Sequence, residues 1–135
     1  MEANNNQIVL KPNSIIADIQ IQFNLFYPFL KIEFLKNPGN VSGKNLRLNA
    51  ELCLSEVSEI TSTKEINVAK SRTVLEIAVD CKKMGLYIQV LRRSGNVWNV
   101  ISLTDSWTLE NQNNEGKFIS SQMALPTPPP NKESI

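Results

Sequence analysis

The chain has 135 residues, and its 14 Lys+Arg against 13 Asp+Glu leave a formal charge of +1. That length accommodates one core, and that balance gives no whole-chain attraction for nucleic acid, acidic membranes or basic partners. Histidine is absent, which removes every imidazole-based dyad, triad or metal site; 41% hydrophobic and 20% charged residues otherwise make an ordinary globular composition.

Residues Met1 to Gln7 are polar, with no basic stretch leading into an apolar one, so no secretory signal is read there. No run approaches the roughly 18 consecutive apolar residues of a membrane span. Cys53 and Cys81 sit in separate segments and read as reduced thiols in a cytoplasmic protein, acting as small half-buried hydrophobes. Residues 1–13 are expected to be a flexible N-terminal segment and 14–119 a single domain. Residues 120–135, with Leu125-Pro126-Thr127-Pro128-Pro129-Pro130, are expected to be a disordered Pro-rich tail.

Residues 14–27 fit two patterns. Asn13 or Ser14 can cap a helix carrying Ile15, Ile16, Ile19, Phe23 and Phe26 on one face, yet Ile19, Ile21, Phe23 and Leu25 also alternate as in a strand. A weak repeat at a shift of 56 favours the helix, because it lays Ile19, Ile21, Phe23, Leu30, Ile32 and Phe34 on Leu75, Ile77, Val79, Leu86, Ile88 and Val90. After Pro28, Phe29 to Leu35 reads as a strand. Residues 37–63 are hardest to read: a turn at Asn37-Pro38-Gly39-Asn40, a strand-like alternation over 46–52, and a helical turn at 54–57. Lys64 to Val68 is a short strand.

The clearest unit is a helix over 73–84 followed by a hairpin. Thr73 and Glu76 have capping-box spacing, Val74, Ile77, Ala78 and Cys81 share one face, and Gly85 sits where a left-handed C-terminal residue is wanted. Leu86, Ile88 and Val90 alternate with Tyr87 and Gln89 up to Arg92-Arg93, Ser94-Gly95-Asn96 turns the chain, and Val97 to Leu103 returns. The opposite side of this hairpin carries Tyr87, Gln89, Arg93 and Trp98. A last short helix is expected to start after Asp105 as its cap, to be anchored by Trp107 and Leu109, and to stop at Gly116. The order of elements argues for an α+β fold, a mostly antiparallel sheet of about four strands with two or three helices packed on one face.

Site chemistry is sparse. Gly39 to Asn45 resembles a phosphate-binding loop, but it has three residues between its glycines where four are needed, and Asn45 follows the lysine in place of Ser or Thr. Glu56 and Glu59 are the nearest thing to a carboxylate pair. Two cysteines 28 apart make no zinc site, and no Ser-x-x-Lys opens a helix. The expectation is therefore no catalytic residue, no cofactor and no metal, and an interaction or assembly module. Its docking surface is the uncovered sheet face with Tyr87, Gln89, Arg92, Arg93 and Trp98, and it takes a protein partner or a second copy. The alternatives are a nucleic-acid-binding module using the basic and aromatic residues of the hairpin and a small metal-assisted enzyme.

Gly85-Leu86-Tyr87-Ile88-Gln89-Val90, Arg93-Ser94-Gly95-Asn96, Trp98 and Thr104-Asp105-Ser106-Trp107-Thr108-Leu109 resemble a segment of small uncharacterised bacterial proteins. The resemblance covers residues 85–116 and implies no substrate, cofactor or catalytic residue.

Overall fold

The structure is a computed structural model that describes residues 6–37 and 46–124. Nine elements follow in chain order: β1 (Gln7–Leu10), α1 (Ile16–Phe26), β2 (Leu30–Leu35), α2 (Leu54–Val57), β3 (Lys64–Asn67), α3 (Val74–Lys83), β4 (Tyr87–Ser94), β5 (Val97–Val100) and α4 (Leu109–Ala124). The fold is α+β and every strand pairing is antiparallel. The strands divide into a β1-β3 ribbon and a β2-β4-β5 sheet. Residues 46–48 extend the larger sheet beyond β2, through the Leu35–Arg47 bridge and bonds from Lys36 N–H to Leu46 O (2.7 Å) and Leu48 N–H to Phe34 O (2.8 Å).

The alternation of β2 and β4 sends Leu30, Ile32, Phe34, Ile88 and Val90 to one side, where they join Ile19 and Phe23 of α1 and Ile77 and Cys81 of α3 in the core. The ribbon adds Ile8, Leu10 and Ile66 to the same cluster. α4 lies on this inner face too, held by Arg92 Nη1 donating to Gln112 Oε1 (2.8 Å) and by Gln112 Nε2 donating to Thr104 O (2.6 Å).

The architecture is a pseudo-twofold repeat. The order β1-α1-β2 recurs as β3-α3-β4. Ile8, Leu10, Ile16, Ile19 and Phe23 correspond to Ile66, Val68, Val74, Ile77 and Cys81, each 58 positions later, whereas Leu30, Ile32 and Phe34 correspond to Leu86, Ile88 and Val90 at 56. The uniform shift of 56 thus matches β2 with β4 and is two residues off for the helix, because the helix-to-strand connection is two residues longer in the first half. The pairings are symmetric about Ile8–Ile66 in the ribbon and Glu33–Gln89 in the sheet. Helix starts are also paired: Ile15 bridges Cys53, and Thr73 bridges Thr108. α1 has no side-chain cap, and its first amides instead bond to Leu52 O (3.0 Å) and Ala50 O (2.8 Å).

The helix and the hairpin form as expected, except that the return strand ends at Val100 and not at Leu103, which lies in an exposed turn. Thr73 Oγ1 accepts from Glu76 N–H (3.1 Å), Glu76 Oε1 accepts from Thr73 N–H (2.9 Å), and Gly85 and Gly95 hold φ of 80° and 68°.

Three expectations are corrected. Residues 7–10, placed in a flexible lead, form β1, because Ile8 and Leu10 are fully buried against β3. The last helix begins at Leu109, where Thr108 Oγ1 accepts from Asn111 N–H (3.1 Å), and not at an Asp105 cap. It also runs through Gly116 to Ala124. Gly116 does not stop the helix because its missing side chain lets α4 approach Phe29 and Arg92. This moves the boundary of the expected disordered tail; residues 125–135 and the phosphate-loop-like run 39–45 lie outside the described residues.

Candidate functional site

The period of two that buries Ile32, Phe34 and Val90 sends Lys31, Glu33, Leu35, Tyr87, Gln89, Leu91 and Arg93 to the other side of the sheet. Trp98 and Val100 join them from β5, since Trp98 lies opposite Arg93 and Val100 opposite Leu91. Among the described residues no helix packs over the centre of this outer face. α1 and α3 pack on the inner one, as does the start of α4 through Gln112, while the C-terminal half of α4 borders the hairpin end, where Phe29 and Arg93 line a cleft with Lys117 and Ser120.

At its centre, on the pseudo-twofold axis, stands Glu33, whose side chain is 8% exposed. Its Oε1 accepts from Gln89 Nε2 (2.7 Å), and its Oε2 faces Arg47 Nη1 (3.3 Å) and Lys31 Nζ (3.6 Å). A buried carboxylate is costly without such partners, and here three side chains supply them. Lys31 Nζ also lies 5.7 Å from the centre of the Trp98 ring, within cation–π range. A cleft of about 600 Å³ follows this cluster, bounded by Leu35, Leu91, Trp98 and Val100.

The sequence-derived residues divide. Gln89 and Trp98 line this cleft, and Arg93 is the cross-strand neighbour of Trp98, with Nε donating to Gly95 O (2.6 Å). Tyr87 is on the same face but lines a neighbouring cleft of about 620 Å³ with Leu35, Glu59 and Lys83. Arg92 belongs to the opposite face. It is one residue out of phase with Arg93, and its guanidinium bonds Gln112 and lies 5.8 Å from the Trp107 ring centre. Its Nε is enclosed without a hydrogen-bond partner among the described residues. Trp107, expected to pin the last helix, is partly exposed, and the fully buried Leu109 takes that place.

Lys31, Glu33 and Arg47 were missed. The alternation of residues 29–35 does put Lys31 and Glu33 on the non-core side of their strand, but their meeting with Gln89 and Trp98 required the β2–β4 pairing. No local pattern announces Arg47.

Elsewhere, three sites hold titratable groups in structural contacts. Glu56 closes a capping box on α2 by accepting from Cys53 N–H (2.9 Å), which holds its carboxyl below the usual range. Burial, with the neighbouring Asp80 charge adding to it, pushes the Cys81 thiol up to about 12, so it remains a protonated core residue. Arg72 and Asp80 form an ion pair beside α3. Among the described residues there is no group of three or more His, Cys, Asp or Glu placed to hold a metal, and no helix is long and apolar enough to cross a membrane.

No family model matches the chain, and no curated protein or solved structure matches it. The fold and this sheet face therefore stand on their own residues.

Proposed function

We propose that the chain is an interaction module, non-catalytic and cytoplasmic, whose docking surface is the outer face of the β2-β4-β5 sheet, with Trp98 as its anchor and a protein as its partner. One observation carries this reading: among the described residues no helix lies over the centre of the outer face, which keeps a large aromatic beside Leu91 and Val100, around a fully partnered Glu33. Apolar surface rimmed by polar groups is what docking surfaces present, and a half-buried Trp is the residue type that most often dominates their energetics. Two unpaired cysteines fit a reducing compartment.

A photo-cross-linking amino acid at Val100, on this face, is expected to give a discrete adduct in cells, and the same group at Leu75 on the exposed side of α3 is not. Trp98→Ala is expected to weaken that association by about 30-fold, the effect of losing a hot-spot side chain worth about 2 kcal/mol. Equal adducts from both positions, or none from Val100, would overturn the reading.

A nucleic-acid-binding module is the second reading. Lys31 and Arg93 flank Trp98, a combination that suits base stacking with phosphate contact. A low-salt gel shift with single-stranded RNA, lost on Arg93→Ala, would favour it.

A further inference from the structure

We propose that the partner is an extended acidic segment of a protein that adds as a fourth strand along the free edge of β5; this rests on the reading of the outer face as a protein-docking surface and adds the partner's chemistry and pose. Ser94 and Val97 flank the two-residue turn and so exchange hydrogen bonds, as do Arg92 and Asn99 one step on. The N–H and C=O groups of Trp98 and Val100 therefore turn away from β4, and no backbone bond of the described residues reaches them.

Edges of this kind are usually blunted by Lys, Pro or a covering element. Val97-Trp98-Asn99-Val100 has no charge and no proline, and Val97 and Val100 are each about half exposed. The position equivalent to Val100 in the first half of the repeat is Arg47, which bridges Leu35 as Val100 pairs with Leu91. That edge of the three-stranded sheet carries a charge, and among the described residues its opposite edge, β5, carries none.

Charge selects the kind of strand. The outward side chains of the sheet and Arg47 together carry three cations, Lys31, Arg47 and Arg93, and one carboxylate, Glu33. Arg47 lies closer to Glu33 than Lys31 does, and Lys31 reaches across to Trp98. A strand beside β5 would thus find Lys31 and Arg93 on its outer side.

On its inner side lies a cleft of about 240 Å³ lined by Arg92, Asn99, Ser102, Leu103 and Thr104. Arg92 has no carboxylate within ion-pair distance among the described residues, and Leu103 is 97% exposed. Cations therefore stand on both sides of the same edge, Lys31 sharing Glu33 with Arg47 on one and Arg92 without a carboxylate among the described residues on the other, with apolar side chains between them. A second copy presenting the same cationic face is electrostatically opposed, and a nucleic acid offers no peptide groups to the β5 backbone.

Three probes test this by fluorescence anisotropy: a labelled decapeptide alternating valine and glutamate, the same peptide with lysine for glutamate, and a ten-nucleotide oligothymidylate. The expected result is binding of the acidic peptide alone, weakening as salt is raised. Val100→Pro removes an outward N–H without touching the β4 ladder and is expected to weaken binding at least tenfold. Arg93→Glu leaves the backbone intact, so it gives a readout even if Val100→Pro changes the melting curve; it is expected to exchange the preference toward the lysine peptide. Failure of the acidic peptide to bind, unchanged binding by both variants, or preference for the oligonucleotide overturns the inference. Should the Val100 photo-adduct persist while the peptide fails, strand addition falls and the docking face stands; loss of both removes both.

Discussion

Phe23→Ala is expected to lower stability by about 3–5 kcal/mol, read as a shift of the urea midpoint with unchanged slope. Phe23 is fully buried, its ring 5.7 Å from that of Tyr27 at a tilt of 54°, and it belongs to the cluster that joins α1, α3, the sheet and the ribbon. Its counterpart across the pseudo-twofold axis is Cys81, a small side chain also fully buried. The core is therefore filled asymmetrically, and the far half has no large side chain at the equivalent position to swing into the hole. A domain of this kind is stable by about 5–15 kcal/mol in all, so this one truncation removes a large share. A loss under about 1 kcal/mol would contradict the placement of Phe23.

Gly116→Leu is expected to loosen α4 and to cost about 3 kcal/mol, the upper part of the usual overpacking range. A Cβ at Gly116 would stand 2.9 Å from Phe29 Cβ, 3.1 Å from Arg92 Cγ and 3.2 Å from the Phe29 carbonyl. That carbonyl accepts from Arg93 N–H (3.0 Å) and cannot retreat without breaking the sheet end. The helix must lift instead, straining the bonds from Phe29 N–H to Asn113 Oδ1 (2.8 Å) and from Gly95 N–H to Ser120 Oγ (3.0 Å). Gly116→Ala gives the cleaner sign. Helix propensity alone favours alanine by about 1 kcal/mol, so a net loss of stability must come from the contact. Urea unfolding of both variants checks this, and a stabilised alanine variant would contradict the close approach.

These two residues also show what the sequence could reveal. Signals that are local in the chain were legible: the Thr73–Glu76 box, the glycines at 85 and 95, and the alternation that put Tyr87, Gln89 and Trp98 on one side of a hairpin. β1 was not, because four residues carry too short a pattern and their partner strand lies more than fifty residues away. α1 read ambiguously for a physical reason. Ile16, Ile19 and Phe23 form its buried stripe, but Ile21 (57% exposed) and Leu25 (75%) are apolar on the solvent side, so two faces interleave into a false period of two. The sequence pattern stops α4 at Gly116 because its polar middle is poor helix material on its own, whereas contacts with Arg92 and Phe29 hold it in the fold. At the site, Arg92 and Arg93 look alike in sequence and part company only once the register fixes their opposite faces. Glu33, central to the face, needed the pairing of two strands 56 residues apart.

Hydroxyl-radical footprinting of the isolated chain tests most directly whether the outer sheet face is open to solvent. Trp98, Tyr87 and Leu35 are expected to be modified readily while Phe23 and Phe34 stay protected. Protection of Trp98 and Leu35 to the level of Phe34 in a monomer would contradict the account.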